Sequence, residues 1–220
     1  FKTSKIDSNK WKTVSYRASQ SLEKNYSQPG DLQAFTSGAN IKTDGNTIKI
    51  ETRKENTKGL VWQLPFGFVE KDFGYSSGCI NTSCSFWSNH GIWEANVKYT
   101  PTKGLASAVY LLGENNSYQV NLLETGIKNR VGLLSQENGQ ANEQTISISG
   151  LKTGQFYIFS LEWTKEKMIW RINNKEIFSL DNQKGLPEMH INAATVVVNE
   201  ISSGLPHYFE IDWIRVYHQK

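Results

Sequence analysis

Apolar residues recur at every second position along this chain, and no run of ten or more residues holds the 3.6-residue period of a helix. Residues 47–53 set Ile48 and Ile50 between polar neighbours, while Tyr157, Phe159, Leu161 and Trp163 line one side of another run. Side chains two apart share a face of a strand, so these runs read as half-buried strands. Met168-Ile169-Trp170-Arg171-Ile172 leads into Asn173-Asn174, and Glu176-Ile177-Phe178 returns. Asn tolerates the left-handed backbone of tight turns, so this is a hairpin. Further strands fit at 91–99, 105–112, 117–123, 131–135, 145–149, 190–198 and 207–217, separated by turn clusters such as Pro101-Thr102-Lys103-Gly104 and Gly150-Leu151-Lys152-Thr153-Gly154. Many short strands with Gly-rich turns predict an all-β fold of two packed sheets. No repeat or linker divides the 220 residues, which predicts one domain over 1–220.

The 24 basic and 21 acidic residues nearly balance, which excludes the charge footprint of a nucleic-acid or anionic-membrane binder. No stretch approaches the ~18 consecutive apolar residues of a transmembrane helix. The four histidines, His90, His190, His207 and His218, show no ligand spacing, so no metal is assigned and no cofactor is implied. Phe1-Lys2-Thr3-Ser4 opens directly into polar sequence, as an exported chain cut after its leader would. The two cysteines lie in Cys79-Ile80-Asn81-Thr82-Ser83-Cys84. With Asn81-Thr82 as a two-residue turn, Cys79 and Cys84 fall in a non-hydrogen-bonded pair, the register that brings side chains closest. That geometry suits a disulfide, which would mark an exported protein; two thiols in a cytosolic hairpin are the alternative.

The segment Gln119-Val120-Asn121-Leu122-Leu123-Glu124 has a spacing of its own. Residues 119 and 121 share a strand face, and residue 124 is out of phase unless one extra residue bulges. The segment resembles Glu-x-Asp-x-x-Glu, the active-site strand of glycoside hydrolase family 16, the laminarinase, lichenase and agarase group. Blocks in the same order support the likeness. They are Gly74-Tyr75-Ser76-Ser77-Gly78, Gly91-Ile92-Trp93-Glu94-Ala95-Asn96-Val97-Lys98, Lys103-Gly104-Leu105-Ala106-Ser107-Ala108-Val109-Tyr110-Leu111-Leu112-Gly113, Leu161-Glu162-Trp163-Thr164 followed by Ile172-Asn173-Asn174-Lys175, and Phe209-Glu210-Ile211-Asp212-Trp213-Ile214-Arg215-Val216-Tyr217. The resemblance covers about residues 46–218 and implies a jelly-roll sandwich, concanavalin A-like, with a concave glycan-binding face. In the family the first Glu of the motif attacks, the Asp tunes it, and the last Glu is acid/base.

This chain keeps only Glu124, the acid/base position, and has amides at Gln119 and Asn121. Retaining cleavage needs two carboxyl groups roughly 5 Å apart, and an amide has no charge with which to attack. Ala106 and Tyr110 replace two tryptophans of the family's cleft strand, and Ile92 replaces an arginine. Five departures around one face predict a carbohydrate-binding protein on a hydrolase scaffold. Gln119, Asn121 and Glu124 would bond sugar hydroxyls of a β-glucan or galactan, polysaccharide or oligosaccharide, and Tyr110, Trp87, Trp62 and Tyr118 would stack on pyranose rings. The alternatives are an active endo-acting hydrolase, with Glu94 the nearest other carboxylate or with the amides as engineered changes, and a structural or adhesive module that kept only the fold.

Overall fold

The computed structural model describes residues 1, 5–14, 16–17, 20–21, 24–114, 118–137, 140–182 and 185–218. Among these, eighteen strands and no α-helix form. β1 (Tyr16–Arg17) and β2 (Gln20–Ser21) pair as a small separate ribbon. The chain continues through β3 (Tyr26–Ser27), β4 (Gln33–Phe35), β5 (Ile41–Thr43), β6 (Ile48–Gln63), β7 (Gly67–Ser77) and β8 (Cys79–Asn81). Next come β9 (Gly91–Lys98), β10 (Leu105–Gly113), β11 (Tyr118–Gly126), β12 (Arg130–Glu137) and β13 (Gln140–Ser147). The last are β14 (Phe156–Trp163), β15 (Lys167–Ile172), β16 (Lys175–Asp181), β17 (Met189–Val197) and β18 (His207–Tyr217). The six-stranded sheet runs β13-β12-β11-β10-β17-β8. A ten-stranded sheet follows the path β16-β15-β14-β9-β18-β6-β7-β4, with β3 and β5 added on β6.

Alternation builds the sandwich. In β10, Leu105, Ser107, Val109 and Leu111 are buried, while Ala106, Ala108, Tyr110 and Leu112 are half-exposed on the other face. β9 does the same with Trp93, Ala95 and Val97. The inner faces meet in one core, to which the six-stranded sheet gives Val109, Leu111, Val120, Leu133 and Ile191, and the ten-stranded sheet gives Trp93, Phe159, Leu161, Trp170 and Phe209. Fully burying a large aliphatic or aromatic side chain is worth about 1.5–3 kcal/mol, so this shared core fixes the pairing of the two sheets. The result is the expected two-sheet jelly roll. Asn173 and Asn174, at φ 47° and 66°, form the expected turn between β15 and β16. No helix of the described residues is long and apolar enough to cross a membrane.

Several details differ from the sequence reading. β6 and β7 run well beyond residue 53 as a long hairpin whose apolar tip is exposed, so alternation fades where there is no core to face. Residue 117, expected to open a strand, lies outside the described residues. The cysteine hairpin does not form, and no disulfide joins Cys79 to Cys84. β8 pairs with β17 instead, and Thr82 is held there by its N–H to the Ile191 carbonyl and its Oγ1 from the Ile191 N–H. Residues 82–86 then coil, with the Ser85 and Phe86 N–H groups both donating to the Thr82 carbonyl. Cys79 is buried on β8 with its Sγ 3.7 Å from Asn25 Oδ1, and Cys84 is exposed on the coil.

Candidate functional site

The 119–124 segment lies in β11, between β10 and β12, with its outer face away from the core. Tyr110 pairs with Asn121 and Val109 with Leu123, which leaves Leu122 as the extra residue of a bulge. Leu122 and Leu123 both enter the core, the local reason that Glu124 returns to the face of Gln119 and Asn121. At the bulge the Asn121 carbonyl accepts the Trp170 indole N–H at 2.9 Å. A buried carbonyl at an irregular strand position needs such a donor, and here the opposite sheet supplies it through the core.

The three side chains form one relay. Gln119 Nε2 donates to Asn121 Oδ1 at 2.7 Å, and Asn121 Nδ2 donates to Glu124 Oε2 at 3.0 Å. Arg130 Nε reaches the same Glu124 oxygen at 2.6 Å, and its Nη1 reaches Glu143 Oε2 at 2.6 Å. The Arg130 and Glu124 side chains are 11% and 12% exposed, so this charge-assisted pair is nearly sealed from water. Glu143 also accepts from Lys128 Nζ at 3.2 Å, and that bond, against slight desolvation and with Arg130's charge added, holds its carboxyl below the ordinary value. Asn121 is fully buried, so its amide serves the relay and not a ligand directly.

Polarity in this relay is determined from one end. The ion-paired carboxylate of Glu124 accepts, so Asn121 must turn its NH₂ toward it and its oxygen toward Gln119. Gln119 must then donate, which leaves its carbonyl oxygen and second N–H outside the relay. Above it the outer face hollows into an open cavity of about 500 Å³, whose lining includes Gln119, Glu124, Arg130, Tyr110, Ala106 and Ala108. Burial pushes the Tyr110 phenol up, with Cys79 and Tyr26 close enough to add to the effect.

The other expected residues are dispersed. Glu94 lies on β9 in the opposite sheet, paired with Ser160 and Arg215, and cannot share this cleft. Tyr118 is one residue out of phase with Gln119 and packs against the core. Trp87 stacks on His190 with ring centroids 4.3 Å apart, and its indole N–H donates to the Ser83 carbonyl at 2.8 Å. His190 pairs with Leu112 on β10, so Trp87 lies toward that end of the face and does not line the cavity. Trp62 meets Phe68 at 5.0 Å, and Phe68 meets Tyr26 at 5.2 Å, a ring cluster on the β6–β7 hairpin. Arg130 and Glu143 are residues the sequence reading missed. The alternation of Val131 and Leu133, carried one residue back, would have put Arg130 on the cleft face opposite Glu124.

A family model described as "Glycosyl hydrolases family 16" matches residues 30–215. Comparison with curated proteins gave no match. Among solved structures, the catalytic domain of an endo-1,3-β-glucanase (laminarinase) from Thermotoga petrophila RKU-1 is 19% identical, with 99% of this chain and 94% of that chain covered and a TM-score of 0.74. A structure described with endo-acting O-glycanases of the human gut microbiota that initiate mucin breakdown is 22% identical, covers 99% and 88% of the two chains, and has a TM-score of 0.77. A LamA variant from Zobellia galactanivorans, in complex with laminaritriose and laminaritetraose, is 21% identical over 98% and 94%, with a TM-score of 0.68.

Proposed function

This chain belongs to glycosyl hydrolase family 16, and on that premise we propose that it is a glycan-binding member that does not cleave. The observation that carries this reading is the relay itself. Where retaining hydrolysis requires an attacking carboxylate beside an acid, Gln119 is an amide hydrogen-bonded to a second amide, Asn121. Glu124 offers one carboxyl group, and one of its oxygens already accepts from both Asn121 and Arg130. A lone carboxyl so engaged leaves an oxocarbenium-like transition state without its anionic partner. The ligand is a β-glucan or galactan chain laid along the outer face of the six-stranded sheet, with Gln119, Glu124 and Tyr110 at the cavity. This reading places the protein outside the cell.

An endo-acting hydrolase is the competing reading, favoured by the laminarinase-like neighbours and by Glu143, a second carboxylate joined to Glu124 through Arg130. Arg130 bonds both through one guanidinium, with Lys128 also on Glu143, so each carboxylate is held by a cation and neither stands free to attack. One experiment separates the readings: reducing-sugar release and calorimetric binding on laminarin, lichenan and agarose-derived oligosaccharides, with the parent chain, Gln119→Glu and Gln119→Glu/Asn121→Asp. The expected outcome is binding without release by the parent, and no release by either variant, because Arg130 still engages Glu124. Sugar release by the parent chain would overturn the proposal, and absence of binding to every glycan would favour an adhesive module.

A further inference from the structure

β13 ends the six-stranded sheet on one side, and among the described residues β12 is the one strand that pairs with it. Its free side is a row of backbone N–H and C=O groups without a strand partner, a template for pairing with another chain. Sheets blunt such edges with short strands, charges, prolines or bulges. Among the described residues the other long or terminal edges are blunted in these ways. β4 and β8 are three residues each, β16 carries Lys175, Glu176 and Asp181 and bulges against β15, and the β6–β7 hairpin is charged on both strands. β13 has none of these features. It runs eight residues in unbroken register with β12, contains no proline, and holds a single charge, Glu143, that Arg130 and Lys128 already bind.

The strand also matches itself. Two copies placed antiparallel about a two-fold axis normal to the sheet must pair even with even positions and odd with odd, since paired side chains share a face. Centring the axis on Gln144 opposes Ala141 to Ser147, Asn142 to Ile146 and Glu143 to Thr145 of the copy, over residues 141–147. Centring it on Glu143 sets two carboxylates directly opposite, which is destabilising. The Gln144 register avoids that contact and puts two side-chain amides, each both donor and acceptor, at the axis. It also covers Ile146, an apolar side chain 39% exposed on the face that Val131 turns to the core. Antiparallel strands exchange bonds at alternate residues, so this register makes about six to eight backbone hydrogen bonds across the axis.

We propose that a second copy of this chain docks on β13, edge to edge about Gln144, so that two six-stranded sheets join into one continuous sheet with both cavities on the same side. An interface of one strand pair falls below the standard size of stable complexes, so the association is reversible, with a dissociation constant of roughly 1–100 μM. Sedimentation equilibrium on the intact chain, across roughly 1 μM to 1 mM, should show the mass rising from one chain to two. Gln144→Lys and Gln144→Glu each bring like charges together at the axis and should weaken association about fivefold or more. Mixed one to one, the two variants should associate at least as tightly as the parent. Circular dichroism checks that each is folded. If either is not, Asn142→Lys/Ile146→Lys and Asn142→Glu/Ile146→Glu, at exposed positions opposed across the axis, give the same readout. A single-chain mass throughout the range overturns the inference. So does a dimer that the charged variants leave intact, which would place the contact elsewhere, or a mixture of the two variants that stays apart.

Discussion

Arg130 is the residue on which the site's chemistry turns. Its Nε–Glu124 and Nη1–Glu143 bonds, both 2.6 Å, make one nearly buried guanidinium the cation of Glu124 and share Glu143 with Lys128. Breaking a buried pair from one side is worse than removing both partners, because the charge left behind has lost water and counterion alike. Arg130→Met should therefore lower the unfolding free energy by about 2–3 kcal/mol, below the fully buried range because both side chains keep a little solvent contact. Arg130→Met/Glu124→Gln should recover part of that loss. Urea unfolding of the four members of the cycle checks it, and additive losses would show that the pair is not coupled. Asn121→Asp is predicted to be harmful for the converse reason: it sets a second carboxylate against Glu124 at the present 3.0 Å contact, so one of the two must take up a proton.

The bulged strand β11 shows how an element converts a pattern into a site. Leu122 is inserted, both leucines enter the core, and the Asn121 carbonyl is met by Trp170 from β15 across the sandwich. Trp170→Phe keeps a ring in the core but leaves that carbonyl without its donor, at an expected cost of about 2–4 kcal/mol from the unsatisfied acceptor and the lost ring volume together. The same variant should weaken glycan binding, because the bulge aims Glu124. Full stability in denaturant with unchanged binding would show that the bulge holds without the indole. β12 is constrained differently. Gly132, at φ 136°, lies beside Asn121, and an added Cβ would come within 2.3 Å of the Gln144 carbonyl oxygen. Gly132→Ala must therefore push β13 away and should unfold at clearly lower temperature. These elements also show what was legible from sequence. Strands with a core to face, such as β10, β14 and β18, announce themselves by alternation, and the out-of-phase Glu124 announces the bulge. The end of β12 that carries Arg130 is marked only by the alternation of Val131 and Leu133 carried one residue back, because a charged residue at a strand start otherwise looks like a turn. The sheet to which Glu94 belongs and the partner chosen by β8 are set by long-range pairing, which local sequence does not encode.

At the scale of the whole molecule, two histidines tie the stability of the sandwich to pH. His190, on β17, lies fully buried beneath Trp87 and opposite Leu112. His207, at the start of β18, keeps 7% exposure, has its Nδ1 3.1 Å from Thr102 Oγ1, and feels the opposing charge of Glu210. Burial lowers both from 6.5 to about 4. Because the folded imidazoles resist protons that the unfolded chain accepts, the unfolded state binds more protons throughout that interval, and stability rises with pH across it. The stabilisation is complete above about pH 6.5 and is lost as pH falls toward 4, by order-of-magnitude reckoning 2–4 kcal/mol for each histidine. Carboxylates held low, Glu143 among them, lose their contribution only as pH falls below about 4.5. The interval from pH 6.5 to 5 therefore isolates the histidines. Urea midpoints should fall steadily from pH 7 to 5 in the parent chain, and His190→Gln/His207→Gln should flatten that dependence whatever it does to stability at pH 7. A double variant whose midpoint falls in parallel with the parent would mean that neither imidazole carries the effect. The expected flattening would mean instead that a sandwich whose two sheets share one core senses acidity through two buried imidazoles.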